Sequence, residues 1–525
     1  MPFIGHAIDG GINTEIGPSA PLVMRDQTTI SVPYLIDANN IVFNEDGWPQ
    51  KMPGASNVNG TTTGASDEVI GIFDYWRSTA AGDPIQRKVI VSGTQIYSEA
   101  GAGTLTSIRT GIASAEMPWF AVMNDTLIIA TTSTTDVPWT WNQTTFANLG
   151  GTPPNFAFHI NHKNYLFAAG VDSNKSRLYY SATSDPADWT SASSGSIDIA
   201  PDDGDVITGL ATRNNELIVF KGPNKGSIFR VQGSAEADWS LRPIITAGNG
   251  TGIGAINQQS IIAAPGGDVW FWDHFGIHSL VAVETFGDYK PRYLSDAIRT
   301  YFIKNLNHTR FEFVWGCNFA AAGYALWTCS RSGNSTHNQI IGLDYRFTPA
   351  RFFFWPAYTA ASLAMVQDTN RETVPWAGTY AGRVLRMNRT ARDIATTAYT
   401  STVTLPYLSY GPIFRDRVVK KGIVHLNPKG DTTATIGWTR DTNTQQTASV
   451  SQGGTATLGA SSDEFTLNVD ALGGGAYRPV GFDMSGAFKS LQIQMTQGGV
   501  DVDFEPHGLE LEIEDAGVSS VVPAG

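Results

Sequence analysis

Arg87–Tyr97 reads RKVIVSGTQIY: an apolar strand, a Ser-Gly turn, then a second apolar run. The same phrase returns as NDTLIIATTS around Leu127, NYLFAAG around Leu166, NELIVFKG around Leu217, GDVWFW around Val269, YALWTC around Leu326 and ETVPWAG around Val374. Counting from Val89, the steps between anchors are 38, 39, 51, 52, 57 and 48 residues. A second apolar run follows each anchor: Ile96-Tyr97, Trp139–Trp141, Leu178–Tyr180, Ile228–Val231, Ile277–Leu280, Ile340–Tyr345 and Val384–Met387. Short strands recurring at about 40 to 50 residues are the signature of a β-propeller with four-stranded blades. The count predicts seven blades, or six if a terminal repeat is only a strand pair. Two landmarks reinforce the period. Asp188-Trp189 and Asp238-Trp239 lie 50 residues apart, and Asn164 and Asn215 lie 51 apart, each in a turn before an anchor strand.

Working outward, residues 1–65 lack a helical period and carry Gly and Pro at close intervals. They read as an extended N-terminal segment able to lend a closing strand to the last blade. Within it Ile41–Phe43 is a short strand, and Asn44-Glu45-Asp46-Gly47 a hairpin turn. Residues 66–395 hold the propeller. One insertion, Tyr293–Asn307, places Leu294, Ile298, Tyr301 and Phe302 on one helical face. From 396 to 525 the pattern changes to strands alternating by two, such as Ile423–Leu426, Thr433–Trp438, Glu464–Val469, Leu491–Met495 and Leu509–Ile513. They predict a C-terminal β-sandwich or barrel-like domain. The expected fold is therefore all-β throughout.

Composition narrows the function. The 525 residues exceed one ordinary core. Charged residues make up only 16% and aromatic residues 11%, with 14 Trp, where a typical domain is about a quarter charged. Few charges with many turn formers suit an all-β protein that buries surface against partners. The net charge of −13 argues against gripping nucleic acid by its phosphates, which needs clustered Lys and Arg. It is compatible with a surface that DNA slides past, because like charge reduces sticking. No segment approaches the roughly 18 apolar residues of a membrane span. The first residues, MPFIGHAIDGGINTEIGPSAP, carry neither the basic nor the apolar region of a secretory signal. Cys317 and Cys329 fall in neighbouring strands of one repeat and are expected as free buried thiols.

Candidate chemistry is sparse. Asp198, Asp202, Asp203 and Asp205 crowd one turn. Close oxygen ligands suit Ca²⁺, but the loop lacks the full cation-binding pattern, so a solvated PDDGD turn with Gly204 at positive φ is expected. His159 with His162, and His274 with His278, lack the helical HExxH context of a zinc site. Arg213, Arg310 and Arg383 with Glu216 and Asp273 are the residues a propeller glycosidase would draw on, since such enzymes need paired carboxylates. SDPADWT at Ser184–Thr190 lacks the Asp-box form, and GTGIG at Gly250–Gly254 precedes a strand. No catalytic residue, cofactor or metal is expected. Phe352, Phe353, Phe354 and Trp355 are consecutive aromatics. They read either as a strand buried between blades or as a subunit or adaptor contact, where aromatics are favoured. Arg415, Arg417, Lys420 and Lys421 form the one locally basic stretch. It reads as an ordinary hairpin or as a contact to DNA or an acidic adaptor.

Two stretches carry a family resemblance. One is Gly10–Ala55, with GGINTEIGPSAP followed by IDANNIVFNEDGWPQKMPGA. The other is Arg177–Val231, with Leu-Tyr-Tyr-Ser, Asp-Trp, Ile-Asp, Asp-Gly-Asp and Ile-Thr-Gly-Leu in order. Both resemble the tail nozzle proteins of short-tailed bacteriophages, also called tail tubular protein B, tail hub or packaged-DNA stabilisation protein. The resemblance implies a virion protein, made in the host cytoplasm, that assembles as a homo-hexamer below the portal and tail adaptor. Its ring centre would pass double-stranded DNA during ejection and be closed beforehand by loops or a needle. Tail fibre proteins would be further partners, and the C-terminal domain would line the tube. The chain lacks the long insertions of some members. A propeller-based glycan-binding adhesin or fibre-docking module is the alternative, with a glycosidase behind it.

Overall fold

The structure is a computed structural model that describes residues 3–8, 10–15, 23–24, 29–31, 34–64, 67–78, 82–101, 103–246, 252–281, 293–409, 415–427, 432–441, 443–452 and 478–518. The chain divides into two units. One comprises Asn57–Ile340 and Tyr358–Met387, the other Met1–Ser56, Ile341–Ala357 and Asn388–Gly525.

The first unit is a seven-bladed propeller. Four blades follow in simple meander order: Val69–Arg77 to Leu105–Thr110, Pro118–Met123 to Phe146–Asn148, Phe158–His162 to Gly195–Asp198, and Val206–Arg213 to Ser240–Ile245. Among the described residues the fifth has three strands, from Ile262–Ala263 to Ile277–Ser279. The sixth opens with Gly316–Phe319 and Tyr324–Cys329, and the seventh with Ala360–Gln367, Thr373–Thr379 and Val384–Asn388. The strand that enters the unit, Gly54–Asn57, is the fourth strand of blade seven. Beyond it Val58 N–H donates to Val384 O at 2.8 Å, while Asn59 accepts from Val384 N–H at 2.8 Å and donates to Gly382 O at 3.0 Å. Innermost strands of successive blades pack side by side, and the last, Ala360–Gln367, returns to Val69–Arg77.

All seven anchor positions fall in the second strand of a blade. The reason is burial. These strands are covered on both faces, so Val89–Val91, Leu127–Ala130, Leu166–Ala169, Leu217–Phe220 and Val269–Trp272 read as continuous apolar runs. The outer strand Leu105–Thr110 is mostly exposed and leaves no such mark. Asn164 and Asn215 owe their spacing to turn chemistry. Lys163-Asn164 and Asn214-Asn215 both have positive φ (51° and 62°, 48° and 63°), the backbone of a two-residue hairpin turn that Asn tolerates. The insertion after blade five contains the helix Arg299–Asn305, which buries Phe302.

The second unit is a sandwich. One sheet runs in the order Val23–Met24, Thr29–Ser31, Phe3–Ala7, Pro506–Val518, Arg415–Leu426, Arg478–Phe488. The other contains Arg351–Trp355, Asp37–Asn39, Ser401–Thr404, Leu491–Gln497, Thr432–Arg440 and Gln446–Gln452 as successive neighbours. Alternation decides which faces meet: Leu509, Leu511 and Ile513 are buried and alternate with Glu510, Glu512 and Glu514. Trp438 of the second sheet packs on Phe482 of the first, ring centroids 6.0 Å apart.

This division departs from the linear one. Residues read as an N-terminal arm are extended, but as sandwich strands: Phe3–Ala7 pairs antiparallel with Gly508–Glu512. Asp37–Asn39 lies between Phe354 and Ser401–Thr404. Ile341–Ala357, placed by its spacing in the propeller, belongs to the sandwich. The predicted strand Glu464–Val469 lies outside the described residues.

Candidate functional site

The propeller axis is the first place to look for a site, because the innermost strands converge there. Ile72, Phe73 and Asp74 of blade one, Trp119 and Phe120 of blade two, Gln259 and Ile261 before blade five, Trp315 and Gly316 of blade six and Leu363–Met365 of blade seven line a chamber of about 250 Å³. Gln259 Nε2 donates to Pro118 O at 3.2 Å, joining blade five to blade two. Trp119 Nε1 is taken by His159 O at 2.7 Å. Residues of the innermost strands of blades one, two and seven, with Gly316 of blade six and the segments before blades five and six, thus meet around one chamber, and the Gln259–Pro118 bond runs beside it.

Of the four carboxylates around the turn from blade three to blade four, Asp198, Asp203 and Asp205 are engaged by protein donors, while Asp202 is exposed. Asp198 forms a two-point pair with Arg177 at 2.6 and 3.0 Å. Asp205 accepts backbone N–H groups of Asn224, Lys225 and Gly226 at 2.7–3.1 Å. Asp203 accepts Lys221 Nζ at 2.7 Å. The Lys221 side chain is fully buried, and its ammonium also donates to Ile199 O at 2.9 Å and Ala200 O at 2.8 Å. A lysine ammonium thus sits where these oxygens converge. Among the described residues no group of three or more His, Cys, Asp or Glu is placed to hold a metal.

The residues a glycosidase would use are not brought together. Arg213 and Glu216 flank the turn between the first and second strands of blade four. Arg310 precedes the first strand of blade six, and Arg383 follows the second strand of blade seven, donating to Asn59 O and Gly60 O at 2.9 Å. In meander blades these two kinds of connection open on opposite faces of the ring. Asp273 is buried in blade five, 3.5 Å from His278. Burial pushes the Asp273 carboxyl up to about 7 and the His278 imidazole down to about 3. His159 is likewise pushed down to about 3 by burial. Cys317 and Cys329 are free and buried.

Phe352, Phe353, Phe354 and Trp355 have no more than 2% of their surface exposed. Gly342 leaves the space that the Phe353 ring occupies, and Trp355 Nε1 donates to Ile41 O at 2.8 Å. The reading of these four as a subunit or adaptor contact is corrected: their side chains are spent on the chain's own core.

The basic stretch is also engaged. Arg415–Leu426 pairs antiparallel with Pro506–Val518, the acidic LELEIED strand. Arg417 pairs with Asp515 and Lys420 with Glu514. His425 lies 3.0 Å from Glu510, and Lys421 sits opposite Glu512 in register. Arg415 is the first residue of this strand, opposite Val518. Period and charge counts mark the basic segment, but its acidic partner lies some 90 residues downstream and only sheet pairing joins them.

Sequence reasoning missed a cleft of about 580 Å³ on the propeller, lined by loops of blades two and three and the start of blade four, with Asn155, Asp172, Ser173, Lys175 and Tyr179 on its walls. Loop residues carry no period, so no pattern announces it.

No family model matches the chain, and no curated protein matches it. Solved structures with similar architecture include an exo-β-1,3-galactanase from Phanerochaete chrysosporium, at 10% identity and TM-score 0.24 over 91% of this chain and 99% of that one. The N-terminal domain of Nup159 aligns at 8% identity and TM-score 0.37, covering 66% and 97%. A gluconolactonase from Xanthomonas campestris aligns at 11% and 0.30, covering 71% and 99%. Likenesses of this order assign neither family nor activity to the chain.

Proposed function

We propose that this chain is a structural virion protein: the nozzle subunit of a short phage tail, acting as a homo-hexameric ring that closes and then conducts double-stranded DNA. The reading rests on the resemblance of Gly10–Ala55 and Arg177–Val231 to tail nozzle proteins. The Gln259–Pro118 bond between blades five and two favours a conduit between subunits over one through a single propeller. A closed ring needs two different complementary patches per subunit. The sandwich is the unit suited to a tube wall. Its strands Arg415–Leu426, Arg478–Phe488 and Pro506–Val518 are 12, 11 and 13 residues long, or about 36 to 44 Å at 3.3–3.4 Å per residue. Net charge −13 and the neutralised basic strand favour passage over capture. No covalent chemistry is part of this role, which suits the dispersal of Arg213, Arg310, Arg383, Glu216 and Asp273 over two faces. The tail adaptor below the portal and a fibre or needle protein are the partners.

The mass of the purified protein, alone and with the portal–adaptor complex, tests the reading. A species of about 340 kDa, six times 56.5 kDa, or a monomer that forms a six-fold ring only on the adaptor, is expected. A monomer that ignores the adaptor overturns it.

A further inference from the structure

The cleft between the loops of blades two, three and four has a consistent chemistry. Its walls carry Thr132, Ser133, Thr134, Asn155 and Ser173, groups that both donate and accept hydrogen bonds; the Thr132 and Ser133 hydroxyls already bond Glu116 and the backbone of Thr135 and Asp136, so Thr134, Asn155 and Ser173 face a ligand. Its charges cancel locally, because Lys175 Nζ lies 3.0 Å from Asp172. That leaves no cationic cluster for phosphate and no second carboxylate for a metal. One aromatic wall stands among the polar ones. Tyr179 is half-buried and packs against the core cluster of Leu149, Phe156, Leu166 and Ala168, so its ring is fixed. Asn155 Nδ2 donates to Thr134 O at 2.8 Å, which orients the amide. The volume lies within the range of about 300–1,000 Å³ for small-molecule sites, and Pro154, Val171, Val206 and Ile207 add apolar lining beside the polar groups.

We propose that this cleft binds an uncharged saccharide, a unit of one to three sugar rings, with the apolar face of one ring against Tyr179 and its hydroxyls on Asn155 and Ser173. A rigid aromatic face beside a set of neutral donors and acceptors matches a molecule that is apolar on one side and hydroxylated around its edge. Such a site would let a tail protein touch a glycan surface without catalysis. It does not depend on the ring, since every lining residue comes from one chain.

The test is a glycan array carrying neutral oligosaccharides beside phosphorylated and sialylated ones, probed with the full chain, then calorimetric titration with the best-retained neutral oligosaccharide. Retention of neutral glycans is expected, with at least a tenfold loss of affinity in Tyr179→Ala. Ser173→Trp, an exposed loop substitution that fills the cleft without touching the core, is expected to abolish binding at unchanged melting temperature. No retained glycan, retention of charged glycans only, or binding unaffected by Ser173→Trp overturns the proposal. Loss of glycan binding in Ser173→Trp with the ring mass unchanged separates this site from the nozzle reading.

Discussion

Gln259 donates through Nε2 to the carbonyl of Pro118 at 3.2 Å, from the turn before blade five to the first strand of blade two. Three blade positions separate the two around a ring of seven, so the bond spans the axis. Both groups are buried beside the apolar chamber of Trp119, Trp315 and Met365. Gln259→Leu leaves Pro118 O without its donor, at a cost of about 1–3 kcal/mol. Urea denaturation of the two proteins measures it. An unchanged midpoint would mean that water replaces the amide.

If DNA passes between subunits, filling the axis is without effect on transport. Ala364→Leu adds three carbons to a chamber of about 250 Å³. Ejection rates of virions carrying the variant are expected to equal the wild type. A slowed or blocked ejection places the duplex on the propeller axis and refutes the inter-subunit path.

Lys221→Met removes the ammonium that holds Asp203 and the carbonyls of Ile199 and Ala200. Breaking a buried pair from one side costs about 3 kcal/mol, read as a lowered denaturation midpoint. Ca²⁺ is expected to leave the wild-type melting temperature unchanged, because Asp198, Asp203 and Asp205 already have protein partners and exposed Asp202 is left as a single carboxylate. A rise with Ca²⁺ restores the metal reading of the turn.

Lys51 is fully buried and donates to Gln497 Oε1 and Gly499 O, both at 2.8 Å, with Tyr399 4.7 Å away. Burial brings it down to about 8 from 10.5, opposed by Asp503. Between those values the unfolded chain binds more protons than the folded one, so this group makes stability rise with pH across that window. Urea midpoints from pH 7.5 to 10.5 in wild type and Lys51→Met isolate the effect. The difference between them is expected to shift in favour of wild type as pH rises; a constant difference would rule out the depressed lysine.

Within Arg415–Leu426, Arg417 and Lys420 are held by the facing carboxylates of Asp515 and Glu514, Lys421 sits opposite Glu512 in register, and His425 lies beside Glu510. Wild type is expected to retain no duplex DNA in a mobility-shift gel at 50 mM salt. The triple variant Glu510→Gln, Glu512→Gln, Glu514→Gln is expected to retain it, with binding lost as salt rises. Retention by the wild type at the same strand would show that the acidic partner does not mask it.

What was legible in the sequence is what is local. The seven second strands announce themselves because a strand buried on both faces has to be apolar at every position, as at Leu217–Phe220. Lys163-Asn164 and Asn214-Asn215 announce the hairpins because few residues tolerate positive φ. The alternation of Leu509, Leu511 and Ile513 with glutamates announces a strand with one wet face. Partnership over distance was not legible. Phe354 pairs with Asn39, and Phe3–Ala7 with Gly508–Glu512, by backbone hydrogen bonds that are the same for any side chain. Period therefore names a strand without naming its neighbour. The consequences were decided by the tertiary structure alone: which unit Ile341–Ala357 joins, that Phe352–Trp355 are interior, that Lys420 faces Glu514, and that loops of three blades enclose one cleft. Each depends on which segments meet in space, a relation that local chemistry does not encode.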